Sequence, residues 1–209
     1  MIMGLFVQRG DKSVKKKGGR IFGVIGMAIC LLALVLALHS MYFGVVSQKN
    51  VYILEYRDEI ARFSEEYQLD PHLICAMIYC ESTFRSDAVS SVGAVGLMQI
   101  MPSTGEWLAG KLKIEGYTKE MLLRPSINVE MGCYYMNFLL SRYNGNIRSA
   151  VAAYHSGQGN VDEWLRNPAI SDDGKNLQNI PEGETRKYTD RVMRVHDIYK
   201  KLYKDEFNI

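Results

Sequence analysis

The sequence predicts an all-α fold, with room for one very small hairpin around residues 87–100, preceded by a single transmembrane helix. Three observations lead there. Beyond residue 50 apolar side chains recur at intervals of three and four almost throughout. No window of Val, Ile, Thr and aromatic residues alternates at period two between turn signals, which excludes a large sheet. Residues 21–38 form an uncharged run of 18 residues, and no Asp, Glu, Lys or Arg follows until Lys49.

That run defines the first elements. At about 1.5 Å per helical residue it can cross a hydrocarbon core of roughly 30 Å. The preceding flank, residues 1–20, holds six basic side chains and one acid, a net charge of +5, while the remainder holds 19 basic and 22 acidic groups, a net charge of −3. Lys15, Lys16, Lys17 and Arg20 hold this flank in the cytoplasm. The expected organisation is a basic cytoplasmic segment (1–20), a signal anchor (21–39), a spacer (40–50) and one extracytoplasmic domain (51–209). A cleaved signal peptide and a buried core helix compete with the anchor. The run exceeds the usual 7–15-residue signal core and ends without a good small-x-small site, so the uncleaved anchor is preferred. With 209 residues, one domain plus an appendage is the natural size, and a slightly acidic body offers little to a nucleic-acid backbone.

Within the domain, Ile53, Tyr56, Ile60, Phe63 and Tyr67 lie on one stripe of a first helix. Asp70-Pro71 is a cap followed by proline at the first helical position, opening a helix that carries Leu73, Ile74, Ala76, Met77 and Ile78 toward Glu81. Ser103 or Thr104 is expected to cap the next helix, through Trp107 and Leu108. Met131, Tyr135, Phe138 and Leu139 make another stripe ending near Asn144-Gly145. Short helices follow over 148–154 and 161–165. Residues 167–183, rich in Pro, Asp, Asn and Gly, form a loop, and 184–203 the last helix, with Tyr188, Val192, Val195 and Ile198 inward.

Three cysteines, Cys75, Cys80 and Cys133, remain outside the anchor. An odd number at these spacings fits small buried thiols with at most one bridge. The four histidines are scattered, so no metal site and no cofactor are expected. Glu81 is the most unusual residue. Its carboxyl emerges at the C-terminal end of a largely apolar helix, where desolvation and the helix dipole both disfavour ionisation, the condition a general acid requires. The segment after it is too apolar for a solvated loop and must be buried or line a groove. Gly93 and Gly96 permit tight turns there, and Gln99 is the polar exception.

The strings ESTFRSDAVSSVGAVGLMQIMPSTGEWLA, NVEMGCYYMNFLL, SAVAAYHSGQGNVDEWL and IPEGETRKYTDRV, in that order and spacing, resemble the soluble lytic transglycosylase family over roughly residues 51–203. The resemblance implies a goose-type-lysozyme-like helical domain that cuts peptidoglycan. It implies that Glu81 is acid and then base, that Ser90 lies near a sugar N-acetyl group, and that Gln99 and Met101 line the glycan groove. It further implies that the Tyr154 hydroxyl reaches toward the acid and that Glu184 faces the peptide-bearing side. His155 stands where the family usually has asparagine, and Glu182-Gly183 replace the usual aromatic before Glu184, altering substrate contacts at the groove's edge.

No acid lies between Asp87 and Glu106, so the two carboxylates of an ordinary glycosidase are not evident. The resemblance implies a reaction that manages with one, closing a 1,6-anhydro ring at N-acetylmuramic acid without consuming water. The expected partners are peptidoglycan strands and, through the N-terminal helix, the membrane, with any envelope complex left open. Two alternatives stand beside this reading: a goose-type-lysozyme-like hydrolase in which Asp87 or Glu106 holds a water, and a non-catalytic peptidoglycan-binding scaffold.

Overall fold

In the computed structural model, which describes residues 13–207 and the side chains from Ile25 onward except Ala28, helix α1 runs over Ser13–Val51. The apolar side chains described along it, Leu31, Leu32, Val35 and Leu36 among them, are exposed. Its 27 residues Ile25–Val51 are long and apolar enough to cross a membrane. Residues 40–50, expected as a spacer, continue this helix; they contain one glycine and no proline to interrupt it. Residues 1–12 of the basic segment lie outside the described residues.

The chain divides into Met1–Gln48 and Lys49–Ile209. The second unit is built from α2 (Arg57–Glu66), α3 (Pro71–Ser82), α4 (Pro102–Leu112), a 3₁₀ turn (Lys119–Leu123), α5 (Pro125–Arg142), α6 (Ile147–Ser156), α7 (Gln158–Leu165) and α8 (Glu184–Leu202). Helix α3 is its axis. Every residue from Pro71 to Ile78 is buried, so the helix is apolar all round because protein surrounds it. It packs along α8 and against α2, while α5 joins α2, α4 and α6, and α6 lies against α8 and α7.

Asp70 starts α3 as expected. Its Oδ1 accepts the His72 backbone N–H at 2.9 Å, and Pro71 takes the first position, where its missing N–H costs nothing. The same carboxylate ties α3 to α8. His196 Nε2 of α8 lies 2.7 Å from Oδ2, and His72 sets its two ring nitrogens against Oδ1 (3.0 Å) and the Tyr203 carbonyl (3.1 Å). Burial alone would raise the Asp70 pKa, but the hydrogen bonds from His196 and His72 outweigh it and hold the carboxyl well below the usual range.

Two local expectations are corrected, and the room left for a small hairpin is filled differently. Ile53 and Tyr56 precede the first helix of the domain rather than joining its stripe. The Tyr199 and Tyr203 hydroxyls donate to the Ile53 and Tyr52 carbonyls (2.6 and 2.8 Å), and Tyr56 is left-handed (φ 52°), so α2 starts only at Arg57. Neither Ser103 nor Thr104 caps α4: the cap is Met101, because Pro102 is preset for the first helical position. Around residues 87–100 the hairpin reduces to two isolated antiparallel bridges, Val89 with Val95 and Val95 with Ile100. Cys75 and Cys133 are buried free thiols and Cys80 is half-buried.

Replacing Asp70 by alanine removes a cap and strands two buried imidazoles, so chemical denaturation should show a loss of about 2–4 kcal/mol at neutral pH. Because the folded pKa is depressed, this contribution is complete above the ordinary value of 3.8 and is lost as pH falls below it. The gap between wild type and Asp70→Ala should therefore close only in strong acid.

Candidate active site

Glu81 occupies the last turn of α3, where the apolar helix meets the surface. Burial pushes its pKa up to about 7, against the opposing pull of the Tyr188 hydroxyl and Arg191. Tyr188, from the second turn of α8, donates to Glu81 Oε1 at 2.6 Å. One carboxyl oxygen is thereby fixed, and near neutral pH both the protonated and ionised forms of Glu81 are accessible. The groups acting on Glu81 are Tyr188 and Arg191; Asp87 and Glu106, both exposed, are not among them.

The backbone turns sharply beyond Glu81. Thr83 (φ 52°) and Phe84 (φ 63°) are consecutive left-handed residues, and Gln99 (φ 48°) is a third nearby in the sequence. Such conformations cost about 1–3 kcal/mol each and persist only where surrounding contacts hold them. Those contacts run through the carbonyls of residues 95–98. Ser82 Oγ donates to Leu97 O (2.8 Å) and Tyr154 Oη to Met98 O (2.9 Å). Buried Asn128 donates to Val95 O (2.9 Å) and Leu122 O (2.8 Å) and accepts the Met98 N–H (2.7 Å). Gly96, at φ +81°, has no room for a side chain: a Cβ would lie 2.3 Å from both Asn128 Nδ2 and the Leu122 carbonyl.

The expected site residues fall into two groups. Glu81, Tyr154, His155 and Glu184 come together through α3, α6 and α8. Burial, and then the charge of Glu81, raise the Tyr154 pKa well above its ordinary value, and Tyr188 behaves likewise. His155 stacks on Tyr188 with ring centroids 4.6 Å apart and sets Nδ1 3.1 Å from Thr185 Oγ1. Its pKa is lowered by burial, with Glu184 opposing. Glu184 itself is exposed and paired with Lys187 at 2.8 Å.

Ser90, Gln99 and Met101 form the second group, on the tethered loop. Ser90 Oγ accepts the Ala94 N–H (2.9 Å), and Gln99 Nε2 donates to Gly96 O (2.9 Å) and Ala88 O (3.2 Å), so both stabilise the turn they belong to. Met101 is 39% exposed at the start of α4. Sequence reasoning missed two residues of this arrangement. Tyr188 was visible only as an inward residue of the last helix. Asn128, an amide between Ile127 and Val129 in the first turn of α5, carried a signal, since a buried amide there must bond elsewhere.

A helical lysozyme-like domain that fixes one half-buried carboxyl at the end of its axial helix is the class of protein that fold and site define. Comparison with known proteins gives the family. The transglycosylase SLT domain matches residues 58–177, and the chain belongs to that family. It is 32% identical over 152 residues to the soluble lytic murein transglycosylase of Escherichia coli K12, covering 72% of this chain and 23% of that protein. It is 30% identical over 173 residues to membrane-bound lytic murein transglycosylase C of Edwardsiella ictaluri, covering 71% and 47%. Among solved structures, the 70-kDa soluble lytic transglycosylase of E. coli superposes with a TM-score of 0.65 at 30% identity, covering 74% of this chain and 25% of that one. An inactive Glu-to-Gln variant of lytic transglycosylase Slt from Pseudomonas aeruginosa gives 0.64 at 31%, covering 73% and 25%. The chain thus spans about a quarter of the length of the first curated relatives it matches.

The Tyr188 hydroxyl stabilises the ionised form of Glu81, so Tyr188→Phe should move the Glu81 titration midpoint above its value of about 7. A rise of about 1 pH unit is expected for one hydrogen bond to a charged group. Carbon-detected NMR titration of labelled glutamate measures it directly.

Proposed function

We propose that the domain following α1 is a peptidoglycan lytic transglycosylase in which Glu81 serves as acid and then as base. The observation that carries this reading is a single half-buried carboxyl, its pKa raised to about 7 and one oxygen held by Tyr188, with no second carboxylate among the described residues acting on it. The relatives' names, lytic murein transglycosylases, supply the substrate class.

In this reading Glu81 in its acid form protonates the oxygen linking N-acetylmuramic acid to N-acetylglucosamine, and the bond from C1 to that oxygen breaks. The substrate's own N-acetyl group stabilises the oxocarbenium-like centre. Glu81, now a carboxylate, takes the proton of the muramoyl 6-hydroxyl as that oxygen bonds to C1 and closes the anhydro ring. The donated proton leaves as part of the N-acetylglucosamine 4-hydroxyl, the proton from the 6-hydroxyl restores the acid, and no water is consumed. A pKa near 7 suits both halves of the cycle, since neither protonation state is strongly disfavoured.

Ser90 and Gln99 shape the loop wall near the N-acetyl group, and Met101 lines the groove beside it. Tyr154 braces the wall from behind through the Met98 carbonyl. His155 and Glu184 border the groove on the α8 side, where the peptide stems would pass. Helix α1 anchors the domain to the membrane as a single span, with its basic flank in the cytoplasm and the domain on the extracytoplasmic side. Support comes from its length and exposed apolar surface and from relatives named as membrane-bound.

Glu81→Gln keeps the shape of the side chain but cannot deliver the proton. Turnover of purified peptidoglycan should fall by at least about 10² to 10⁴ while sacculus binding persists. Mass analysis of the wild-type products should show 1,6-anhydromuramoyl ends. Reducing ends would identify a hydrolase instead, and uncut strands a scaffold.

His155 gives a separate test. Protonation would place a cation against the Tyr188 ring that holds Glu81, and burial sets its midpoint below the ordinary 6.5. Activity should lose a limb on the acid side of that value in His155→Asn; superimposable pH profiles would remove the residue from the site.

A further inference from the structure

An aromatic file leads from the acid's pocket to the surface. Tyr154, whose hydroxyl is fixed to Met98 O, lies 5.3 Å from the ring of Tyr135 on α5. Tyr135 runs nearly parallel to Phe138, one turn along the same helix, with centroids 6.3 Å apart. Both meet Trp107 of α4, at 5.9 and 5.4 Å and near-perpendicular ring planes. Trp107 ends the file and is 38% exposed, although such a large apolar surface ordinarily gains about 25 cal/mol for each Å² it buries.

We propose that Trp107, braced by Tyr135 and Phe138, is a stacking subsite for the pyranose ring of an N-acetylhexosamine on the glycan strand, away from the bond that is cut. The proposal rests on the glycan-cleaving reading above, which makes a strand of linked pyranoses the ligand of the groove whose wall Tyr154 braces. A pyranose presents an apolar C–H face inside a rim of hydroxyl and acetamido groups, and the platform mirrors that pattern. The indole supplies the flat apolar surface. Thr104 and Lys111, one turn before and after Trp107 on the same helix face, supply hydrogen-bonding groups around it. Two perpendicular rings hold the indole in place, so little side-chain freedom is lost when a sugar settles on it. One exposed ring is also far smaller than the roughly 800 Å² per partner that a stable protein interface buries.

The test uses the full chain in detergent, with β-1,4-linked N-acetylglucosamine oligomers as the probe. The chain has only two tryptophans, so Trp164→Phe leaves Trp107 as the reporter, and Glu81→Gln prevents cleavage. A hexasaccharide should shift and saturate the Trp107 emission. Trp107→Ala should weaken hexasaccharide binding by about 3- to 10-fold, the range expected for loss of one aromatic contact, and Trp107→Phe should restore part of it. Emission that ignores the hexasaccharide would overturn the subsite, and that readout does not depend on any Trp107 variant folding. Self-association of the wild type that is lost in Trp107→Ala would also overturn it, by showing that a second copy covers the platform. The two readings fail separately. If Glu81→Gln still cuts peptidoglycan while Trp107 reports the hexasaccharide, the acid is misassigned and the subsite stands; an inactive Glu81→Gln with a silent Trp107 gives the reverse.

Discussion

The antiparallel packing of α3 on α8 is the constraint on which the domain depends, and a carboxyl group pins it at each end. Asp70 meets His196 where α3 begins, and Glu81 meets Tyr188 where it finishes. The two acids stand about 16 Å apart along one helix and titrate in opposite senses. At the N-terminus Asp70 has the positive end of the helix dipole, a backbone N–H and two imidazoles, and stays ionised. Glu81 stands at the negative end, bonded by the Tyr188 phenol, and burial dominates. The same chemical group thus serves as a structural anion at one end and as a proton carrier, in the proposed reaction, at the other.

The loop facing Glu81 depends on a second device. Three left-handed residues without the freedom of glycine lie in and around it, and the carbonyls of residues 95, 97 and 98 each accept a bond from a different element: Asn128 of α5, Ser82 of α3 and Tyr154 of α6. Bonds to the backbone fix its path whatever side chains it carries outward. The close approach of Gly96 to Asn128 and Leu122 then makes glycine obligatory there, through sterics as well as its positive φ.

Tyr154 links this frame to the aromatic file. Its hydroxyl holds the loop and its ring meets Tyr135, so the side chain that braces the wall beside the acid also begins the path to Trp107. His155, next in the chain, turns the other way and stacks on Tyr188. Adjacent residues at the end of α6 therefore serve the two sides of the site.

Much of this was legible in the chain itself, because it follows from local chemistry. Asp70-Pro71 opens a helix wherever it lies, eight apolar residues in succession require a helix surrounded by protein, and a carboxyl at the end of such a helix must resist ionisation. The polar loop of residues 167–183 and the last helix follow from composition and periodicity in the same way. Tertiary structure decided what depends on partners distant in sequence. Ile53 and Tyr56 keep a helical spacing, yet hydroxyls about 150 residues away take the carbonyls of Tyr52 and Ile53 and delay the helix. Ser90 and Gln99 belong to the string that resembles the family, but their hydrogen bonds hold the turn. Tyr188 reaches Glu81 across 107 positions and Asn128 reaches Met98 across 30. A local pattern records the environment a residue needs; which distant residue supplies it is determined only when the helices pack.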